Sequence, residues 1–281
     1  MSVNPYLTFS SPNSFTLNVV DNIKYWDGTI EYSTDTTTWN TWSGTSAISS
    51  SQSGATKYLY LRGTGNTYIT GSNGSPTTAH WVLTGSNISC DGNIENLLDY
   101  QTVALGSHPT MVDRCYQGMF YGSTSLIKAP ELLATTLASN CYREMFKGCT
   151  NIKLSTTQTD NYTKPYRIPT SEAGVAESGA LTGMFTDTGG TFRGTPAINT
   201  TYYLWVEPQL SVDLTTLSGW SDVSAGSHTL KVKAKATGYR DSALSAGVQF
   251  TKAEQYIYEQ TGTVLKITSA PYEQSGGTLI L

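Results

Sequence analysis

The sequence predicts a mainly β chain in four parts. These are a β-sandwich over residues 1–85, a short stack of repeats over 86–204, a compact β module over 205–251 and a strand tail over 252–281. Three observations carry this expectation. The chain opens with short alternating apolar runs divided by Gly, Pro, Asn and Ser clusters. Its middle restarts one pattern after 26 residues. Its composition is 38% hydrophobic and 11% aromatic with only 14% charged residues, against a usual charged share of about 25%. Ser, Thr, Asn and Gly supply the polarity instead, a balance common in all-β proteins exposed outside cells.

Within the first part, Phe15, Leu17 and Val19, then Ile30 and Tyr32, Leu59 and Leu61, and Trp81 and Leu83 alternate as half-buried strands do. The run EYSTDTTTWNTW resembles the opening of an Asp-box hairpin, with Ser33, Asp35 and Trp39 in place and Thr37 where glycine is usual. That resemblance implies a structural turn and not glycosidase activity. Two readings stay open for Trp26, Trp39 and Trp42: a sugar-stacking platform, or hairpin and core packing. Packing is favoured, because each aromatic ring buries about 150–250 Å² and small β domains depend on that area.

The repeat is CYQGMFYGSTSLIKAPELLATTLASN at 115–140, followed at once by CYREMFKGCTNIKL. Cys115 and Cys141, Met119 and Met145, and Gly122 and Gly148 are each 26 positions apart, a period found in leucine-rich repeats. Read as a short helix, CYREMFKGC brings Cys141, Met145 and Cys149 within roughly 80° of arc, one apolar stripe. Gly122 and Gly148 then supply the left-handed residue that ends each helix. A third Met-Phe pair, Met184 and Phe185, comes 39 residues after Met145, so 155–179 reads as an enlarged loop. Tyr162, Tyr166 and Arg167 on that loop are the candidate ligand-binding residues, the alternative being a solvated insertion. Beyond Phe185 the pattern decays as a terminal cap must.

Residues 84–204 resemble the BspA-like leucine-rich-repeat proteins, the 26-residue surface-protein variety of gut bacteria and their phages. The matching residues are NISCDGNIENLLDY at 87–100, HPTM at 108–111, the two CYxxMFxG units, APELLATTLA at 129–138 and GMFTDTGGTF at 183–192. The resemblance implies a leucine-rich-repeat solenoid and display at a surface, without fixing a ligand. Ser123 stands where the second repeat has Cys149, and only two full repeats are present.

Residues 203–251 resemble the immunoglobulin-like modules of bacterial and phage surface proteins, with Gly238, Tyr239, Asp241 and Ser242 as the linking turn. Lys231, Lys233 and Lys235 alternate onto one solvated strand face. The tail repeats YEQTGTVLKI as YEQSGGTLIL after 14 residues. Two short strands are marginal alone, so the tail is expected to pair with the preceding module or with another chain. Its apolar end, Leu279, Ile280 and Leu281, is the candidate oligomer or virion contact.

Chemistry is sparse. His80, His108 and His228 form no metal-ligand spacing, and GTGNTYITG at 63–71 reads as a turn and not a phosphate loop. Cys90, Cys115, Cys141 and Cys149 match no zinc or redox motif. Equivalent helical rungs would hold Cys115 and Cys141 about 10 Å apart, beyond a disulfide reach of about 7 Å, so reduced, buried thiols are expected. A Cys115–His108 pairing is opposed by the core assignment of Cys115. Carboxylates such as Glu131 and Asp160 have no sequence signature, although glycosidase acids are set by spatial separation. No catalytic residue, metal or cofactor is assigned. The net charge of −4 and pI of about 5.4 give no footprint for nucleic acid, and no apolar run reaches the roughly 18 residues of a membrane helix.

The opening MSVNPYLTFSSPNSF carries no basic segment and no apolar run of a secretory signal. Surface composition without an export signal leads to the expectation of a non-enzymatic bacteriophage virion protein: a fibre, capsid decoration or receptor-binding component. Other virion proteins, and host surface glycan or protein, are the expected partners, with a homo-oligomeric assembly. The alternatives are a bacterial surface adhesin and, less favoured, a polysaccharide depolymerase.

Overall fold

The structure is a computed structural model that describes residues 4–71, 79–159 and 161–206, with the backbone of three strands beyond them. It is mainly β, as expected, and divides into two units, Met1–Val206 and Glu207–Leu281.

In the first unit, β1 (Leu7–Ser11), β2 (Thr16–Val19), β3 (Thr29–Ser33), β4 (Asn40–Thr41), β5 (Ile48–Ser49), β6 (Lys57–Thr64), β7 (Trp81–Thr84) and β8 (Ile88–Asp91) precede the kinked helix α1 (Asn96–Ala104) and β9 (Leu126–Lys128). One sheet has the order β4-β3-β6-β1-β8-β9 and a second has β5-β2-β7. The period-2 alternation decides what faces inward. Leu7, Phe9, Leu59 and Leu61 of the first sheet and Leu17, Val19, Trp81 and Leu83 of the second all enter one core. The border expected after residue 85 is not a break in that core: β8 pairs antiparallel with β1, and β9 pairs parallel with β8.

The repeats differ from the expected helices. Residues 113–122, 139–148 and 178–187 are runs of consecutive turns. Every fourth residue is left-handed: Arg114, Gly118 and Gly122 in the first run, Asn140, Glu144 and Gly148 in the second, Gly179, Gly183 and Asp187 in the third. Gly122 and Gly148 are left-handed as expected (φ 70° and 77°), but as members of this period and not as helix ends. Local bonds close each turn, as from Gln117 N–H to Arg114 O (3.0 Å) and Met119 N–H to Tyr116 O (3.2 Å). The alternate amides point along the stack instead. Tyr116, Gly118, Phe120 and Gly122 donate to Cys141, Arg143, Met145 and Lys147, each at 2.8–2.9 Å. Tyr142, Glu144, Phe146 and Gly148 donate in the same way to Ala180, Thr182, Met184 and Thr186. A helix would consume those amides internally, which is why the repeats stack through backbone and not through side chains alone.

This four-residue period buries residues in adjacent pairs: Cys141 with Tyr142, then Met145 with Phe146, then Cys149. Equivalent rings therefore stack. Phe120 and Phe146 lie 5.5 Å apart at 3°, Phe146 and Phe185 lie 5.5 Å apart at 10°, and Tyr116 and Tyr142 lie 5.7 Å apart at 26°. The expected 10 Å between rungs is corrected by the same bonds, since hydrogen-bonded strands lie only about 4.8 Å apart. Cys115 and Cys141 are thus neighbours, yet all four thiols are free and buried. Burial pushes the Cys149 thiol up to about 12 and raises that of Cys115 well above its ordinary value.

The stack continues through β10 (Thr136–Leu137), β11 (Lys153–Ser155), β12 (Tyr162–Arg167), β13 (Val175–Ala176), β14 (Gly189–Gly190) and β15 (Thr201–Trp205). β10 pairs with β13 and β11 with β14, both parallel, as successive turns of a coil do. The insertion expected to be a loop contains β12, paired antiparallel with β15. β15 also pairs with β11, Leu154 opposite Leu204, and so closes this end of the core.

In the second unit, β16 (Gly226–Ala234) lies between β17 (Val248–Lys252) and β18 (Gly277–Ile280). The tail strand pairs with the preceding module, Val232 opposite Leu279 and Lys231 opposite Ile280. The 238–242 turn, the first copy of the tail repeat, Lys235 and Leu281 lie outside the described residues.

Candidate functional site

The face of the six-stranded sheet opposite the core carries a row of aromatic side chains. In KYLYLR the alternation that sends Leu59 and Leu61 inward sends Tyr58, Tyr60 and Arg62 outward. Across the sheet, Tyr60 lies opposite Thr8, which lies opposite Asp91, while Tyr58 lies opposite Ser10, which lies opposite Ser89. Tyr58 and Tyr60 stand parallel, 5.7 Å apart at 6°. Tyr60 meets Tyr6 edge-on at 5.2 Å, and Tyr6 leans on Trp39 at 5.9 Å. Four rings thus form a continuous row, with Tyr58 37% exposed and the others half-buried.

The turn between β3 and β4 holds Trp39 in place. Asp35 Oδ1 accepts from the Thr37 and Thr38 amides at 2.8 Å each, and the Ser33 hydroxyl donates to it at 3.0 Å. The Thr38 amide first, then that of Thr37 and the Ser33 hydroxyl, hold the Asp35 carboxyl well below its ordinary range. Trp39 Nε1–H donates to Thr36 O at 3.1 Å, which fixes the indole plane. The left-handed residue is Thr36 (φ 64°), one position before the Thr37 that replaces the usual glycine. The Asp-box expectation of a structural turn therefore matches this geometry.

Two ion pairs flank the rings. The Arg62 guanidinium lies 4.0 Å from the Trp39 ring centre and 4.5 Å from that of Tyr100, and its Nε–H donates to Glu31 at 2.8 Å. Two rings and a carboxylate thus contact it, so it is a brace more than a free anion receptor. At the other end of the face, Lys128 pairs with Asp91. Burial, then the neighbouring Tyr58 and Tyr6, raise the Tyr60 phenol above its ordinary value, so its hydroxyl stays a neutral donor and acceptor at physiological pH.

The sequence-predicted candidates have other surroundings. Tyr166 is buried, its hydroxyl donating to Pro130 O at 3.3 Å, and its ring meets Phe185 edge-on at 6.0 Å. Arg167 donates to Pro169 O, Glu172 O and Asn199 Oδ1, tying the chain after β12 to the segment before β15. Tyr162 is half-buried near the start of β12. The three are not gathered on one free surface, because alternation and the clamp role separate them. Leu279 and Ile280 belong to β18, and Leu281 lies outside the described residues. Trp26 and Trp42 are core residues 5.1 Å apart, so of the three early tryptophans only Trp39 belongs to an exposed ring row.

His108 is not paired with Cys115. Its Nδ1 lies 2.9 Å from the buried Glu95 carboxylate, whose pKa burial raises although His108 and Asn93 work against it. A cleft of about 330 Å³ is lined by His80, Gln117, Gly118, Tyr121, Glu144 and Lys147. Lys147 and Glu144 there are paired at 3.1 Å. Among the described residues no three His, Cys, Asp or Glu side chains gather as a metal site, and no helix is long and apolar enough to cross a membrane.

The ring row was missed by sequence reasoning that followed the inward leucines and passed over the outward partners. Its signal was present: aromatic residues on the polar side of an alternating strand. Comparison with protein-family models, with curated proteins and with solved structures finds no match.

Proposed function

We propose that this chain is a non-enzymatic bacteriophage virion protein, a fibre, capsid decoration or receptor-binding component that contacts other virion proteins and works as a homo-oligomer. In this reading the first unit is a β-sandwich continued by a short leucine-rich-repeat solenoid of the BspA-like kind. The second is an immunoglobulin-like module with a strand tail. The observation that supports it is the union of a scaffold with a display face. Successive turns are joined by backbone bonds such as Phe120 N–H to Met145 O (2.9 Å), over one core shared with a sheet whose outer side carries aromatic rings. Rigid stacks of this kind position surfaces. The low charged share of 14%, with polarity carried by Ser, Thr, Asn and Gly, suits a protein displayed outside cells.

Cross-linking mass spectrometry on purified phage particles tests the proposal. Reproducible links to capsid or tail subunits are expected. Recovery on bacterial envelopes, with none on particles, would replace it with the adhesin reading, which the same display face supports.

A further inference from the structure

We infer that the outer face of the six-stranded sheet is a binding site for an uncharged polysaccharide, with Tyr58, Tyr60, Tyr6 and Trp39 as stacking rings. This rests on the proposed attachment role only for its biological setting, since the site is defined by its own chemistry. The rings run in unbroken contact over separations of 5.2–5.9 Å between centres. The row presents a band of aromatic edges and partly open faces to a chain of pyranose rings, whose C–H groups pack on aromatic surface while their hydroxyls seek donors and acceptors. Those are supplied by Thr8, Ser10 and Ser89, which cross-strand pairing aligns beside the tyrosines.

Other occupants fit less well. A nucleic acid would also stack on rings, but it needs unpaired cations. Arg62 is committed to Glu31 and to two rings, Lys128 is committed to Asp91, and Lys164 beside Lys128 is held below its ordinary pKa by burial and by that like charge. An anionic glycan meets the same objection. A protein partner of ordinary kind would bury an apolar centre, whereas the residues beside the tyrosines here are hydroxyl-bearing and the aliphatic ones of β1 and β6 face inward. Preorganisation adds to the case, because the Asp35 turn and the Arg62 brace hold Trp39 before any ligand arrives.

The experiment applies the purified full chain to an array of immobilised neutral oligosaccharides, hexose and N-acetylhexosamine polymers, with uronic-acid polymers and single-stranded DNA alongside. Binding to at least one neutral class is expected. Tyr58→Ala with Tyr60→Ala should weaken it at least tenfold. Tyr60→Phe should retain most of it, because the ring remains. Tyr121→Ala, exposed on a different surface, should leave it unchanged. Unaltered near-ultraviolet circular dichroism of the double variant would show that its fold is intact. Binding only to uronic acids or DNA, no binding at all, or binding indifferent to the double variant would overturn the inference. Particle cross-linking is independent: a chain absent from particles that still binds neutral glycan removes the virion reading alone, and a particle component that binds none removes this one alone.

Discussion

Two rows of stacked rings among the described residues have nearly the same spacing and opposite uses. Phe120, Phe146 and Phe185 repeat every 5.5 Å inside the turn stack, fully buried. Tyr58 and Tyr60 stand 5.7 Å apart on the open side of the six-stranded sheet, with Tyr58 37% exposed. Both spacings follow from the backbone: adjacent hydrogen-bonded rungs in one case, alternate residues of one strand in the other. What differs is the environment. Inside, the area removed from water has been used in folding, and the rings stabilise the fold. Outside, much of that area remains in water and is available to a ligand. Ring geometry alone therefore does not distinguish a structural ladder from a recognition surface; burial does.

Stability measurements should separate the rows widely. Phe146→Ala removes the central ring of the inner ladder and should cost about 3–5 kcal/mol in urea unfolding, since neighbours above and below cannot close the gap. Tyr58→Ala should cost less than about 1 kcal/mol, as exposed positions do. Equal losses at the two positions would dissolve the distinction between them.

A second contrast lies in how the inner row is spaced. The four-residue period places Glu144 at φ 54°, where the first rung has Gly118 at φ 64°. A side chain there costs about 1–2 kcal/mol, so Glu144→Gly should raise stability by about 0.5–1 kcal/mol after allowance for the freer unfolded chain. Gly118→Ala should lower it by about 1 kcal/mol even though its nearest neighbour, Ala79 O at 3.8 Å, leaves room for a Cβ. If Glu144→Gly destabilises instead, the turn period is not what sets the rung.

Reactivity should divide the regions too. Cys115, Cys141 and Cys149 are buried, burial raises the pKa of Cys115 and Cys149, and Cys141 neighbours Cys115 across a rung. They should resist an aromatic disulfide reagent in the native state and react together once urea unfolds the chain. Fast labelling of the native protein would show that the inner stack opens.

The smallest effect concerns the outer row. The folded Asp35 carboxyl ionises below its ordinary value of 3.8, so on acidification the unfolded chain takes up that proton first. Stability from the Trp39 turn is then complete above about pH 4 and falls as pH drops further. Asp35→Ala should flatten that acid limb, read by Trp39 fluorescence, and leave the inner ladder's unfolding cooperative. An unchanged acid limb would mean the carboxylate does not hold the turn.

Much of this was legible from residues alone. Period-2 alternation around Leu17, Leu59 and Leu83 identified strands and their inward sides, and the spacing of Cys115 and Cys141 identified stacked repeats. The repeat's local form was not legible. Over nine residues a 3.6-residue helical period and a four-residue turn period bury nearly the same positions, so Cys141, Met145 and Cys149 suit both. Only the tertiary structure decided between them, because the turn form frees alternate amides for the next rung and gains its stability there. The candidate site divided in the same way. Alternation determined that Tyr58, Tyr60 and Arg62 share a face, and Ser33, Asp35 and Trp39 announced a turn. That Tyr6 and Trp39 join the tyrosines in one row depended on pairing β1 with β6 and β3 with β6, contacts between residues distant in sequence that no local pattern encodes.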